Sequence, residues 1–268
     1  GCQLTSIMPT ALDQLRAELA VAQESLLAIE ASAAKLAERM NLRIPSGPSE
    51  IAALCDSAQL AIESPDIKGV MVQSAEWETQ KSNLEALIDA GKELTLFHTD
   101  FDDILVPEAW LQEVGTIRDT LIAKGSKFWR LFSKEYRSAK SRLKALCSSA
   151  MPSSVDEQIE LVNAILAAQT QSTTFEQHHE LGKRFFREKW KSEYSNWDEL
   201  APLPEWIIRI NSDVDAGKAL SGIFSFLESG QSTTELESDS SDVLEASLAQ
   251  IASSDAVQRS IDLDLAKR

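Results

Sequence analysis

Two residues in the middle of the chain have the spacing of a metal-binding helix. Glu176 and His179 form the Glu-x-x-His pair that two helices of a four-helix bundle each contribute to a di-iron centre. That centre needs a second pair, but Thr95 stands three residues before His98. The His-Glu-x-x-His pattern of zinc proteases also fails, because Lys183 follows His179 by four positions. We therefore predict a solvated helix face without metal or cofactor, and a metal-dependent helical-bundle enzyme stays open as an alternative.

The Gly-Lys pairs of the chain do not form a nucleotide site. A P-loop has an earlier glycine five residues before its Gly-Lys, and that glycine is missing before the pairs at 91–92, 182–183 and 217–218. No serine stands in a Gly-x-Ser-x-Gly elbow. We predict no catalytic residue in this segment.

The cysteines, Cys2, Cys55 and Cys147, are far apart and lack the Cys-x-x-Cys spacing. An odd number of widely spaced cysteines favours reduced thiols, which predicts a cytoplasmic protein. No apolar run reaches the roughly 20 residues that cross a bilayer, so we expect no membrane contact.

One stretch reverses the charge of an otherwise acidic chain. The formal net charge is −16, yet residues 124–144 include a single acid, Glu135. Aromatic residues alternate with the cations, and proteins hold single-stranded nucleic acid by stacking bases on aromatic rings beside phosphate-binding cations. The predicted nucleic-acid-binding residues are Lys127, Arg130, Lys134, Arg137, Lys140, Arg142 and Lys144.

A second interpretation of this stretch needs no ligand. The aromatic residues Phe128, Trp129, Phe132 and Tyr136 are also spaced like the core face of a helix. In that case the cations pair with acidic helices around them and contribute little beyond solubility. The sequence alone leaves both interpretations open.

Composition and periodicity predict an all-α protein. Only 10 glycines and 8 prolines occur in 268 residues, and good helix formers dominate long stretches. From Thr10 to Asn41 the apolar residues alternate at spacings of three and four, the heptad pattern of a coiled coil. A second long helix should begin at the capping box of Ser154 and Glu157, run to about Leu181 and pair with the first. Gly182 is expected to interrupt it.

The predicted fold is an elongated helical bundle with a long antiparallel coiled-coil-like hairpin. A helical domain spans residues 1–228, with an arm helix at 10–41 and a body at 49–228. Residues 229–241, rich in serine, threonine and acid, read as a flexible linker. Residues 242–268 form a C-terminal helix that could serve as the second arm of a hairpin.

The segment Phe128–Lys140 resembles the helical region of large bacterial superfamily I DNA/RNA helicases, some of which end in a restriction-type endonuclease domain. The resemblance extends to residues 75–77, 107–110, 185–190, 196–197 and 205–206, roughly the middle half of the chain. It implies that this chain is an accessory insertion or stalk of a longer ATP-dependent helicase. The ATPase motifs would lie in flanking sequence, and the flanking helicase core would be the partner.

Two functional hypotheses follow for this segment. In the first, a non-catalytic helical arm shapes the path of a nucleic-acid strand or docks partners of the helicase. In the second, a coiled-coil scaffold or adaptor binds another protein through its helical seam and has no nucleic-acid role.

Overall fold

A computed structural model describes residues 11–125 and 128–265. The all-α prediction is confirmed, because these ranges contain helices and two isolated β-bridges but no extended β-strand. The α-helices are α1 (Ala11–Arg39), α2 (Pro48–Ile62), α3 (Glu76–Phe101), α4 (Gly115–Lys124), α5 (Lys134–Ala145), α6 (Val155–Phe186), α7 (Trp197–Leu200), α8 (Leu203–Asp215), α9 (Ile223–Ser229) and α10 (Leu236–Leu265). Short 3-10 helices span Pro107–Leu111, Phe128–Phe132 and Arg187–Lys189. No helix in these ranges has the apolar length that a bilayer crossing requires.

The chain forms two compact units. Unit 1 combines the residues up to Lys68 with those from Ile208 onward, and unit 2 comprises Gly69–Ile207. The two units do not coincide with the predicted helical domain at residues 1–228, because the first helices of the chain pack against α10.

The predicted flexible linker at 229–241 is partly helical. Helix α10 begins at Leu236, and the side chains of Leu236, Asp239, Ser240 and Val243 are buried. Their spacings of three and four residues place them on one helix face. Packing of that face stabilises a helix that an acidic, serine-rich sequence would not form in isolation.

In unit 1, α1 packs along α10, and the two helices run antiparallel. Lys35 Nζ lies 2.7 Å from a carboxylate oxygen of Asp239 and 3.2 Å from one of Asp242. One turn later, Arg39 pairs with Asp239 and with Glu235, just before α10. This cluster of charges joins the end of α1 to the beginning of α10.

Asp239 makes the α1–α10 pairing sensitive to acid. Burial of its side chain, which is 3% exposed, favours the neutral acid, but hydrogen bonds from Lys35 and Arg39 outweigh burial and lower the pKa of Asp239. A carboxyl with a lowered folded-state pKa contributes stability that is complete above its unfolded-state pKa. That stability is lost as the pH falls through the folded-state pKa.

We therefore expect the melting temperature of unit 1 to fall as the pH drops below about 4, the ordinary aspartate range. Circular dichroism melts between pH 7 and pH 2.5 would measure this fall. Asp239→Asn should flatten the acid limb of the curve. A variant curve as steep as that of the wild type would contradict the role of Asp239.

The apolar heptad positions along α1 form a stripe that we call the heptad seam. This seam is buried over only part of its length. The buried members are Ile29, Ala33, Leu36 and Met40. Nearer the start of the helix, Leu19 and Leu26 are 50% and 48% exposed. The described part of unit 1 therefore leaves half of this seam in contact with solvent.

In unit 2, α6 packs along α3, so the prediction that it pairs with α1 is wrong. Trp77 of α3 is fully buried, and its ring meets those of Phe185 and Phe186 edge-on at centroid distances of 4.7 and 5.9 Å. Its indole N–H donates to the carbonyl of Met71 at 2.6 Å. These aromatic contacts select α3 as the neighbour of α6, which helix length could not do.

Gly182 does not interrupt α6, which begins at the predicted capping box and continues to Phe186. A Cβ at position 182 would lie 2.5 Å from the ring of Trp190. At position 91 in α3, a Cβ would lie 2.3 Å from the ring of Trp197. Each glycine therefore allows an indole to lie against its helix.

Candidate nucleic-acid interface

Helix α5 carries most of the basic stretch and buries its opposite face. Tyr136, Ala139 and Leu143, spaced by three and four residues, are buried in a core shared with α4 and α6. Ser133 caps the helix, because its hydroxyl accepts the N–H of Tyr136 at 3.3 Å. The basic stretch therefore consists of two helical pieces that meet at Ser133. With one face held in the core, the other positions of α5 must lie at the surface.

Four predicted cations lie on that surface. Lys134, Arg137 and Lys144 are exposed, and Lys140 is half-buried. At 3.6 residues per turn they share an arc of about 120° and span about 15 Å along the helix axis. Among the described carboxylates, none forms an ion pair with these four side chains. Their charges therefore remain available to an external anion.

Two further cations of the stretch have partners within unit 2. Arg142 donates to the hydroxyl of Thr116 at 3.1 Å and to the carbonyl of Glu113 at 3.0 Å. Lys124 Nζ lies 2.8 Å from the carboxylate of Glu135. Hydrogen bonds from Lys124 and Ser133 lower the pKa of Glu135 to about 2, so its charge compensates Lys124 at neutral pH.

The remaining two predicted cations lie at the edge of what the structure describes. Lys127 is outside the described residues, and so is the side chain of Arg130. Their part in the interface stays a prediction.

The aromatic residues of the stretch divide between core and surface. Tyr136 is 2% exposed, as the core interpretation predicts, but Trp129 is 54% and Phe132 84% exposed. Side chains three residues apart eclipse one another in a 3-10 helix, so Trp129 and Phe132 lie on the same side of theirs. The helical spacing of these aromatic residues predicts one continuous face. The change of helix type at Ser133 separates the exposed rings from the buried one.

A shallow cleft of about 310 Å³ lies between α4 and α5. Lys134, Arg142 and the carboxylate of Glu135 contribute to its wall, together with the hydroxyl residues Thr116, Thr120 and Ser138. The two cations outnumber the one carboxylate, and with the hydroxyl donors they suit a phosphate group. The cleft is lined both by Lys134, one of the exposed cations of α5, and by Arg142, which has hydrogen-bond partners within unit 2.

His98 and His179 lie in ordinary polar and aromatic contacts. His98 Nδ1 is 3.0 Å from the carboxylate of Asp102, and its ring lies against Trp110. His179 meets Trp190 edge-on at 5.7 Å. Over residues 11–125 and 128–265, no three His, Cys, Asp or Glu side chains group as metal ligands.

The fold and this surface define an all-α protein with a localised cationic and aromatic surface. Comparison of the chain with protein-family models, curated proteins and solved structures finds no match.

Proposed function

We propose that this chain is a non-catalytic helical segment that binds single-stranded nucleic acid through α5 and the 3-10 helix before it. One observation carries the proposal. The four cations of α5 that lack a described carboxylate partner lie next in sequence to the exposed rings of Trp129 and Phe132. Phosphate contacts by the cations and base stacking on the rings together form the usual single-strand site.

A single strand suits this surface better than a duplex. The faces of paired bases are stacked inside a duplex, whereas the bases of a single strand can stack on exposed rings such as Phe132. The acidity of the whole chain disfavours binding elsewhere, because a net charge of −16 repels phosphates. Binding should therefore be confined to this one surface.

The resemblance to superfamily I helicases supplies a setting for this activity. In that setting the segment is an accessory insertion of a longer ATP-dependent helicase, and α5 guides the strand next to the flanking helicase core. The segment itself would need no cofactor. ATP hydrolysis by this chain alone would contradict the non-catalytic part of the proposal.

Fluorescence anisotropy with a labelled dT oligonucleotide tests the proposal directly. Four neutralised phosphates predict a slope of log K against log salt of about −2.8, so affinity should fall roughly 50-fold between 50 and 200 mM salt. Absence of binding at 50 mM salt, or binding that does not depend on salt, would overturn the proposal and leave the scaffold hypothesis.

The same experiment separates stacking from charge. Phe132→Ala should weaken binding at least about 5-fold, since stacking of a base on an aromatic ring contributes about 1–3 kcal/mol. The salt slope should not change, because no charge is removed. Leu131→Ala, which truncates a neighbouring exposed aliphatic side chain, is the matched control.

A further inference from the structure

Unit 1 contains a large apolar groove that the proposed nucleic-acid interface does not use. The groove has a volume of about 1050 Å³ and lies between α1, α2 and α10. Leu26, Ile44, Leu244 and Ile251 line it, and each of these side chains is about half exposed or more. Large aliphatic side chains arranged around one open groove are typical of a docking site.

The residues that line the groove suit packing against one further helix. The heptad seam of α1 forms part of the groove wall. Its members Leu19 and Leu26 are half exposed, although Ile29 and later members are buried. Seam positions of a coiled coil receive the side chains of a neighbouring helix as knobs into holes. One further helix laid along α1 and α10 would cover these positions.

The charges around the groove are negative. Among the described residues, Glu30 and Asp56 line it, and no described lysine, arginine or histidine does. Asp255 lies one turn beyond Ile251 on the same edge of α10. Helix α10 as a whole carries seven acidic residues and a single basic one, Arg259. Lys35, the nearest cation on α1, is already held by Asp239 and Asp242.

A buried acceptor in the groove wall also lacks a donor. Gln250 lines the groove, and its side-chain oxygen is buried without a hydrogen-bond partner among the described residues. A buried acceptor left unpaired costs free energy, so this part of the groove wall is not fully satisfied by the described residues themselves.

From these observations we infer that the groove of unit 1 binds an amphipathic helix of another protein, with leucine-like side chains on one face and lysine or arginine on its flanks. Apolar side chains would fill the seam of α1, and the flanking cations would meet Glu30, Asp56 and Asp255. A second copy of this chain fits less well, because it would bring a second acidic α10 against the first. This inference does not depend on the nucleic-acid interface, which lies in unit 2.

Synthetic peptides of three heptads test the inference with the full chain. One peptide carries leucine at positions a and d and lysine at e and g, and a second carries glutamate in place of lysine. Fluorescence anisotropy should show saturable binding of the lysine peptide and at least about 10-fold weaker binding of the glutamate peptide. Equal binding of the two peptides would overturn the inference.

Two matched variants separate groove binding from attraction to an acidic protein. Leu244 lies in the groove and is 56% exposed, and Leu96 in unit 2 is 60% exposed. Leu244→Glu and Leu96→Glu add the same negative charge, so general attraction would strengthen lysine-peptide binding equally in both. We expect Leu244→Glu to weaken it at least about 10-fold and Leu96→Glu to leave it intact, because only the first places a charge in the apolar groove. Tight binding by both variants would overturn the inference.

Thiol labelling locates the peptide. Cys55 lines the groove, and Cys147 lies in unit 2. The lysine peptide should slow maleimide labelling of Cys55 and leave that of Cys147 unchanged, as read by mass spectrometry. Unchanged labelling of Cys55 would place the peptide elsewhere and overturn the inference. Light scattering that shows a dimer, dissociated by Leu244→Glu, would instead make a second copy the occupant and overturn it as well.

Discussion

Replacement of Lys134, Arg137 and Lys144 by glutamate is expected to weaken single-strand binding on the order of 100-fold at 50 mM salt. The three side chains are exposed, lie along one side of α5 and have no described carboxylate partner. Their reversal removes three phosphate contacts and adds three repulsive charges. The salt slope should fall from about −2.8 to about −0.7, since only Lys140 remains of the four cations.

A control variant with the same change of net charge distinguishes the effect of the α5 surface on binding from the effect of the net charge of the whole protein. Lys81, Lys183 and Lys191 are cations of unit 2 outside the basic stretch. Along α6, Lys183 is about 30 Å from Val162, which belongs to the core that holds α5. Their reversal to glutamate should lower affinity only a few-fold. Equal losses for the two triple variants would show that net charge, and not the surface of α5, governs binding.

Tyr136→Ala is expected to destabilise unit 2 by about 3–5 kcal/mol, the usual cost of removing a buried aromatic ring. Tyr136 is 2% exposed and packs in the core that α5 shares with α4 and α6. Loss of the ring leaves a cavity beneath the cationic helix. Chemical denaturation followed by tryptophan fluorescence would measure the change in the free energy of unfolding.

This substitution should also weaken oligonucleotide binding, because the cations of α5 keep their arrangement only while the helix is held in the core. Tyr136→Phe is the matched control, since it keeps the ring and removes only the hydroxyl. It should leave both stability and affinity nearly unchanged. If Tyr136→Ala were as stable as Tyr136→Phe, the ring could not be part of the core.

Much of the helical structure could be predicted from local sequence. The heptad spacing of α1 and the capping box of α6 each depend on residues within a few turns of one another. The cationic character of α5 is likewise a property of one continuous stretch. These features need no knowledge of what packs against them.

The pairing of helices could not be predicted in this way. The lengths of α1 and α6 suggested that they pair, but the contacts of Trp77 with Phe185 and Phe186 join α6 to α3. The acidic, serine-rich stretch before α10 looked like a linker because its buried face, with Leu236 and Val243, becomes apparent only when a neighbouring helix covers it. Such contacts join residues far apart in the chain, and local spacing does not specify them.

The candidate site shows the same division between local and tertiary information. An all-α chain with its excess of cations in one aromatic stretch could be predicted from the amino-acid sequence, because helical periodicity and charge are local properties. Tertiary packing buries Tyr136 and leaves Phe132 exposed. It also gives Arg142 internal partners, whereas Arg137 has no described carboxylate partner. Burial and ion pairing depend on which distant residues come into contact, and those contacts form only when the chain folds.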